Sequence, residues 1–264
     1  MIFPIGDWPN PPGHRAWVTW FLIAINIGVW AFFTLPLSGT PADLASPLAK
    51  NYLLEISKVV GSGEQLAALA QHLSDWDLFV FRWGFRPDAV SGLTLFSSMF
   101  LHIGFGHLAG NMLFLWIYGN NVEYRLGRLR FLGAYLGAGL AATAVHWLTS
   151  GSSPIPMIGA SGAISGILGF YFVYFPQNQV RLLCLLPPFF LQVFAVPARL
   201  VLGLYLLVEN LLPWLFASSD IGVAHGAHIG GFLAGMALIP FFRRPGVPLL
   251  DRDRPARFRR GPWG

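Results

Sequence analysis

Six apolar stretches alternate with more polar connections along this chain, at residues 17–38, 94–118, 131–148, 156–175, 196–216 and 221–242. Each approaches the ~20 residues that a helix needs to cross the hydrocarbon core of a bilayer. The pattern predicts six spanning helices. The first stretch is too long for the apolar part of a signal peptide and lacks a strong basic prefix, so it reads as a retained span. A further apolar run, residues 180–195, is broken by Pro187-Pro188 and reads as a connection along or partly in the membrane. One long polar insertion stands out, at residues 39–92. Within it, residues 48–60 and 65–76 carry apolar side chains at helical spacing, which predicts short helices at the interface. Aromatic residues beside arginines over residues 79–87 suit the headgroup level, where ring and guanidinium each find a favourable layer.

Composition agrees with this pattern. Of 264 residues, 55% are hydrophobic and 11% charged, and the mean hydropathy is +0.57. Soluble domains carry roughly 25% charged residues, so the expected class is an all-α polytopic membrane protein. A net charge of +5 raises the question of nucleic acid. Seven of the fifteen arginines, however, lie in the tail 243–264, which suits a segment beside anionic lipid and argues against a nucleic-acid partner. Three arginines fall between the second and third spans and one between the fourth and fifth; none falls between three and four or five and six. Counting positive charge therefore places both termini in the cytoplasm and the 39–92 insertion outside. The chain divides into a cytoplasmic segment 1–16, a membrane domain 17–242 and a basic cytoplasmic tail 243–264. The single cysteine, Cys184, excludes an intramolecular disulfide.

Candidate chemistry lies in three of the spans. Residues 156–166 form a small-residue run holding Ser161. By itself the run reads as a helix-packing surface, with Gly162, Gly166 and Gly169 at small-xxx-small spacing. Two other segments change that reading. The sixth span holds His228 with Gly231 and Gly235 three and seven residues on, and the second holds His102, His107 and Asn111. With span ends taken at 156 and 221, Ser161 and His228 both fall roughly 8–10 Å below the outer surface at about 1.5 Å per residue. The two glycine faces would let these helices approach closely. A serine becomes a nucleophile when a base takes its proton, and a neutral imidazole is the usual base. His225 also lies in the sixth span, but His228 is nearer the centre of the glycine stripe. No aspartate is placed to complete a triad, and Glu209 reads as a hydrogen-bonded structural group, so a Ser161–His228 dyad is expected. His107 and Asn111, spaced i and i+4, share one helix face and could stabilise an oxyanion, with the Ser161 N–H as a third donor. His102 lies about 140° around an ideal helix from His107 and reads as structural. A metal centre is not expected, because there is no His-Glu-x-x-His.

These residues resemble the rhomboid family of intramembrane serine proteases. Gly159-Ala160-Ser161-Gly162 matches the nucleophile motif, and Ala227-His228 with Gly231 and Gly235 matches the base motif. His102, His107, Asn111 and Met112 match the family's HxxxxHxxxNM pattern, followed by Glu123 and Gly127. The resemblance runs from about residue 83 to 235 and leaves out most of the insertion. It implies a six-helix rhomboid bundle of the basic bacterial form, in the inner membrane of a bacterial cell. It also implies hydrolysis of peptide bonds in or beside transmembrane helices, with Ser161 and His228 as the dyad and Asn111, His107 and Gly159 stabilising the oxyanion. The partners implied are transmembrane protein substrates and the lipid bilayer, with no cofactor. Ser165 departs from the pattern, because the family often has an aromatic residue there that packs on the base. A catalytically inactive rhomboid-like scaffold is the alternative, although such relatives typically lack the serine or the histidine. A channel would line a through-path, whereas the deep polar groups here cluster towards one side.

The arginine count makes a direct prediction about orientation. In a Cys184→Ser background, cysteines at Ser152 and Ser219 should react with an impermeant thiol reagent applied from outside, and one at Arg125 should not. The reverse pattern would invert the topology.

Overall fold

The computed structural model describes residues 2–186, 190–216 and 224–246. Pro187-Pro188, the start of the expected sixth span and the tail from residue 247 lie outside the described residues. The chain is mostly helical. Among the described residues, three helices are long and apolar enough to cross a membrane: α1 (Trp17–Leu37), α7 (Arg128–Ser150) and α9 (Ala198–Phe216). A bent pair, α5 (Gly92–Phe100) and α6 (Phe105–Leu126), makes a fourth if counted as one span. The short apolar helices α8 (Ser161–Tyr174) and α10 (His225–Ala237) occupy the middle, and α11 (Ile239–Phe242) ends the described helices.

Helix α8 is the axis of the bundle. Every residue from Ala163 to Tyr171 is buried, as expected of a helix that is apolar all round. Helices α6, α7 and α10 pack on it. Its contact with α10 is backbone on backbone. A Cβ added at Gly231 would run into the Gly162 carbonyl, one at Gly235 into the Gly166 carbonyl, and one at Gly169 into that of Phe232. On the α7 side, a Cβ at Gly162 would sit 2.7 Å from the Ala142 Cβ. In a bilayer, helices associate through such close packing, because lipid tails are as apolar as the side chains they would replace.

Several boundaries differ from the hydropathy reading. Residues 94–118 are not one helix: the chain turns by 90° between α5 and α6. Leu101 is extended and Gly104 caps α6, while the His102 carbonyl accepts from Thr34 Oγ1 at 3.3 Å. Hydropathy sums over both arms and cannot see the bend. Helix α6 then runs on to Leu126, so the expected basic turn shrinks to Gly127, at φ +80°, a backbone position that suits glycine. The expected fourth helix begins at Ser161, with an extended lead-in rather than a helix before it. The sixth begins its described helix at His225.

The all-α expectation needs a further correction. Strands β1 (Ile2–Trp8), β2 (Gln179–Leu186) and β3 (Phe190–Pro197) form an antiparallel sheet in the order β1-β2-β3. The Pro-Pro step that breaks the apolar run separates two eight-residue arms, which pair with each other across it. Pairing satisfies backbone groups that an irregular connection would leave open. The N-terminal segment is correspondingly anchored. Asp7 is buried and accepts from Asn121 Nδ2 at 2.7 Å and from the Tyr171 hydroxyl, which Asn178 Nδ2 also reaches at 2.8 Å. Nearby, the buried Glu123 carboxylate caps α1, accepting from Val18 N at 3.1 Å and Thr19 N at 2.8 Å. A carboxylate there answers the orphan N–H groups and the dipole of the helix start.

The polar insertion folds as three short helices, α2 (Pro47–Ser57), α3 (Gly63–Gln71) and α4 (Asp75–Trp83). Ser46, Ser62 and Ser74 cap them, the last in a capping box with Asp77. Ala49, Tyr52, Ile56, Leu73, Leu78 and Phe81 give it a small core of its own. Its second expected helix, residues 65–76, is divided at Leu73-Ser74, where a new cap starts α4.

The α8–α10 contact leads to a stability prediction. Gly231→Ala should destabilise by more than the ~1–3 kcal/mol of ordinary overpacking, because the obstruction is backbone. Gly28→Ala, where a Cβ meets nothing within 4 Å, should stay within ~0.5 kcal/mol of the parent. Thermal unfolding and monodispersity in detergent would compare them, and equal behaviour would refute the packing account.

Candidate active site

Ser161 is the first residue of α8, and the chain before it is held from two sides. Phe85 and Met157 exchange backbone hydrogen bonds at 3.0 and 2.8 Å, and Gly159 N–H donates to the Ser98 carbonyl at 2.9 Å. Gly159 itself has φ +125°, and a Cβ there would lie 2.9 Å from the His107 ring. Glycine is therefore required twice over, for its backbone angle and for the imidazole beside it. This lead-in, rather than five buried helical residues, brings the hydroxyl to its position.

His228 is the fourth residue of α10, and the glycine contact carries it to Ser161. The His228 Nε2–Ser161 Oγ distance is 2.7 Å. His225, three residues earlier, places its ring centroid 6.5 Å from that of His228. On the far side of the imidazole, His228 Nδ1 lies 2.7 Å from Asn210 Oδ1. The Asn210 amide is oriented by its other end, where Nδ2 donates to the Tyr205 carbonyl at 2.9 Å. The acceptor oxygen therefore faces Nδ1, which must carry the proton of a neutral ring. Nε2 is left with its lone pair towards the serine.

Ser165, where the family pattern often has an aromatic residue, is buried and lies 3.0 Å from the Tyr205 hydroxyl. It ties α8 to the same stretch of α9 that supplies Asn210. Asn210 was not among the residues that the sequence brought forward. Its neighbour Glu209, expected as a hydrogen-bonded structural group, is instead exposed, and Asn210 turns inward. The cause is a π-helical turn over Leu207–Leu211, which shifts the facing of the helix by a residue and has no sequence signal as plain as proline or glycine.

His107 lies beside Ser161 through Gly159, as the added-Cβ distances show. Asn111 is one turn further along α6; its Nδ2 donates to the His107 carbonyl at 2.9 Å, leaving the second amide hydrogen. Both residues line a cavity of about 250 Å³ that reaches Ser161. A larger cavity of about 850 Å³ meets Ser161, His107, Gly159 and His228, and extends to Tyr52, Trp76 and Asp77 of the insertion. Burial, with the Asp77 carboxylate adding to it, pushes the Tyr52 hydroxyl up to about 12, so it remains a donor on the cavity wall. His102 is fully buried and stands edge-on to His107, with ring centroids 5.0 Å apart. Its place is behind His107, not against Ser161. The first N–H groups of α8 have no intrahelical acceptor by construction, and the positive end of the helix dipole points the same way. The arrangement thus joins a hydroxyl, an oriented imidazole and several donors at the mouth of a cavity, as acyl transfer needs.

Comparison with known proteins identifies the family. A family model for the rhomboid domain matches residues 91–245. Rhomboid protease GluP of Bacillus subtilis is 35% identical over 141 residues, covering 53% of this chain and 24% of that protein. The mitochondrial presenilin-associated rhomboid-like protein of Bos taurus is 29% identical over 149 residues, covering 54% of this chain and 36% of its own length. Rhomboid protein 1, mitochondrial, of Saccharomyces cerevisiae is 29% identical over 158 residues, covering 57% and 42%. The chain spans less than half the length of each of these relatives. The family match covers more than half of this chain and includes Ser161, His228 and the α8–α10 contact, and on that extent the chain belongs to the rhomboid family.

Proposed function

We propose that this chain is an intramembrane serine endopeptidase that cleaves peptide bonds in or next to the transmembrane helices of its substrates. The observation that carries the reading is the 2.7 Å approach of Ser161 Oγ to His228 Nε2 at the mouth of a cavity of about 850 Å³. In this reading, His228 Nε2 takes the hydroxyl proton as Oγ attacks the scissile carbonyl carbon. The carbonyl electrons move to oxygen, which the Ser161 N–H, His107 and Asn111 face as candidate donors. Collapse of the tetrahedral intermediate breaks the C–N bond, and the leaving amine takes the proton back from His228. Water activated by the same imidazole then hydrolyses the acyl-enzyme and releases the serine. The similarity to rhomboid protease GluP of Bacillus subtilis supports the reading.

The same proposal counts six spans, adding α8 and α10, as short helices inside the ring, to α1, the bent α5–α6 pair, α7 and α9. The segments are then 1–16, 17–242 and 243–264, with both termini cytoplasmic and the site open to the opposite side of a bacterial inner membrane. A substrate helix would have to be locally unwound to present a carbonyl to Ser161, because helical carbonyls are already engaged.

Ser161→Ala and His228→Ala should each abolish cleavage of a transmembrane substrate in liposomes while inserting and purifying like the parent. His225→Ala should retain activity within about threefold, since the ring next to Ser161 is His228. Undiminished cleavage by a clean Ser161→Ala preparation would rule out the serine mechanism, and an inert wild type would favour a non-catalytic scaffold. Asn111→Ala should lower kcat roughly 10²-fold, the usual cost of one oxyanion donor. An unchanged kcat would remove it from the mechanism.

A further inference from the structure

We propose that Asn210 is a positioning residue for the base, so that the reacting unit is a chain of three residues, Asn210, His228 and Ser161, rather than a pair. The inference rests on the serine-peptidase reading and goes beyond it in naming what holds the imidazole. Asn210 is 1% exposed, whereas Leu207, Val208 and Glu209 before it are exposed on α9. The π-helical turn at Leu207–Leu211 is the local device that puts this one polar side chain on the inner face. A buried amide is costly unless its groups are matched, and here both ends are engaged. Oδ1 meets His228 Nδ1 at 2.7 Å and Nδ2 donates to the Tyr205 carbonyl at 2.9 Å.

This second bond decides the chemistry. A side-chain amide can turn either edge to an imidazole, and the wrong edge would offer a donor and favour the Nε2–H tautomer. That tautomer has no lone pair for the serine proton. With Nδ2 committed to Tyr205, only the acceptor edge faces the ring, and the productive tautomer is selected before substrate arrives. The Tyr205 hydroxyl is in turn 3.0 Å from Ser165 Oγ, so α8, which carries the nucleophile, and α9, which carries the positioner, are registered against each other. A neutral amide performs this role without burying a second charge, which in an apolar environment is expensive. An asparagine holding a catalytic histidine is chemically sufficient, as the Cys-His-Asn set of papain-like proteases demonstrates.

The test uses the full chain in liposomes with a fluorogenic transmembrane peptide, and ¹⁵N-histidine NMR with His228 assigned by its loss in His228→Ala. Wild type should show His228 protonated at Nδ1 when neutral. Asn210→Leu should lose that tautomer preference and lower kcat roughly 10- to 100-fold, a part of the 10²–10⁴ that general-base catalysis contributes, with KM within about twofold. Asn210→Asp, which keeps an acceptor towards Nδ1, should recover at least about tenfold over Asn210→Leu. A residue that only supported the fold would lower the yield of folded protein and leave the tautomer and the kcat of the folded fraction unchanged. If Asn210→Leu fails to fold, the wild-type tautomer and Asn210→Asp decide. An Nε2-protonated His228 in wild type, or a kcat for Asn210→Leu within about twofold of wild type, overturns the proposal. An inactive wild type would instead overturn the peptidase reading.

Discussion

The backbone contact between α8 and α10 is the constraint on which the rest of the structure depends. Gly231 against the Gly162 carbonyl and Gly235 against that of Gly166 leave no room for a side chain. Two helices at this separation carry their first turns side by side, and those turns hold Ser161 and His228. The short distance between hydroxyl and imidazole is therefore a consequence of packing several residues away. A cavity of about 850 Å³ lies beside these turns, and in the proposed mechanism it is the route by which substrate and water reach the serine.

A second theme is how the molecule satisfies polar groups within an apolar surrounding. Glu123 is fully buried and takes three donors from the start of α1, so the carboxylate replaces helix caps that water would otherwise supply. Asp7, Asn121, Tyr171 and Asn178 close a second network, which holds the N-terminal strand against α6 and α8. Asn210, Tyr205 and Ser165 make a third, beside the candidate site. Each network joins segments distant in sequence. Removing one member would leave buried partners unmatched, at about 1–3 kcal/mol each.

How far these features were legible in the sequence depends on the kind of signal each one leaves. Ser161, His228 and the glycine stripes stood out because small residues at helical spacing and rare deep polar groups are visible in a single chain. Hydropathy found α1, α7 and α9 nearly to their ends, since a straight apolar helix is what a sliding reading measures. It failed where geometry changes without a change in composition. The 90° break before Phe105 and the extended lead-in to Ser161 are as apolar as the helices they interrupt. The sheet was missed because β2 and β3 are mostly apolar without a clean alternation, and because β1, the partner of β2, lies more than 170 residues away from it in sequence. Asn210 was missed for a subtler reason: an unperturbed helix reading assigns facing by 3.6-residue spacing, and the π-helical turn alters that assignment at this one position.

The account makes Ser161 an activated nucleophile rather than a packing residue in a glycine-rich helix. A fluorophosphonate probe applied to the liposome-embedded protein, with the modified residue mapped by mass spectrometry, measures that property directly. Labelling confined to Ser161 in wild type, and lost in His228→Ala, is the predicted result. Absence of labelling in folded protein, or equal labelling of Ser161 with and without His228, would contradict it.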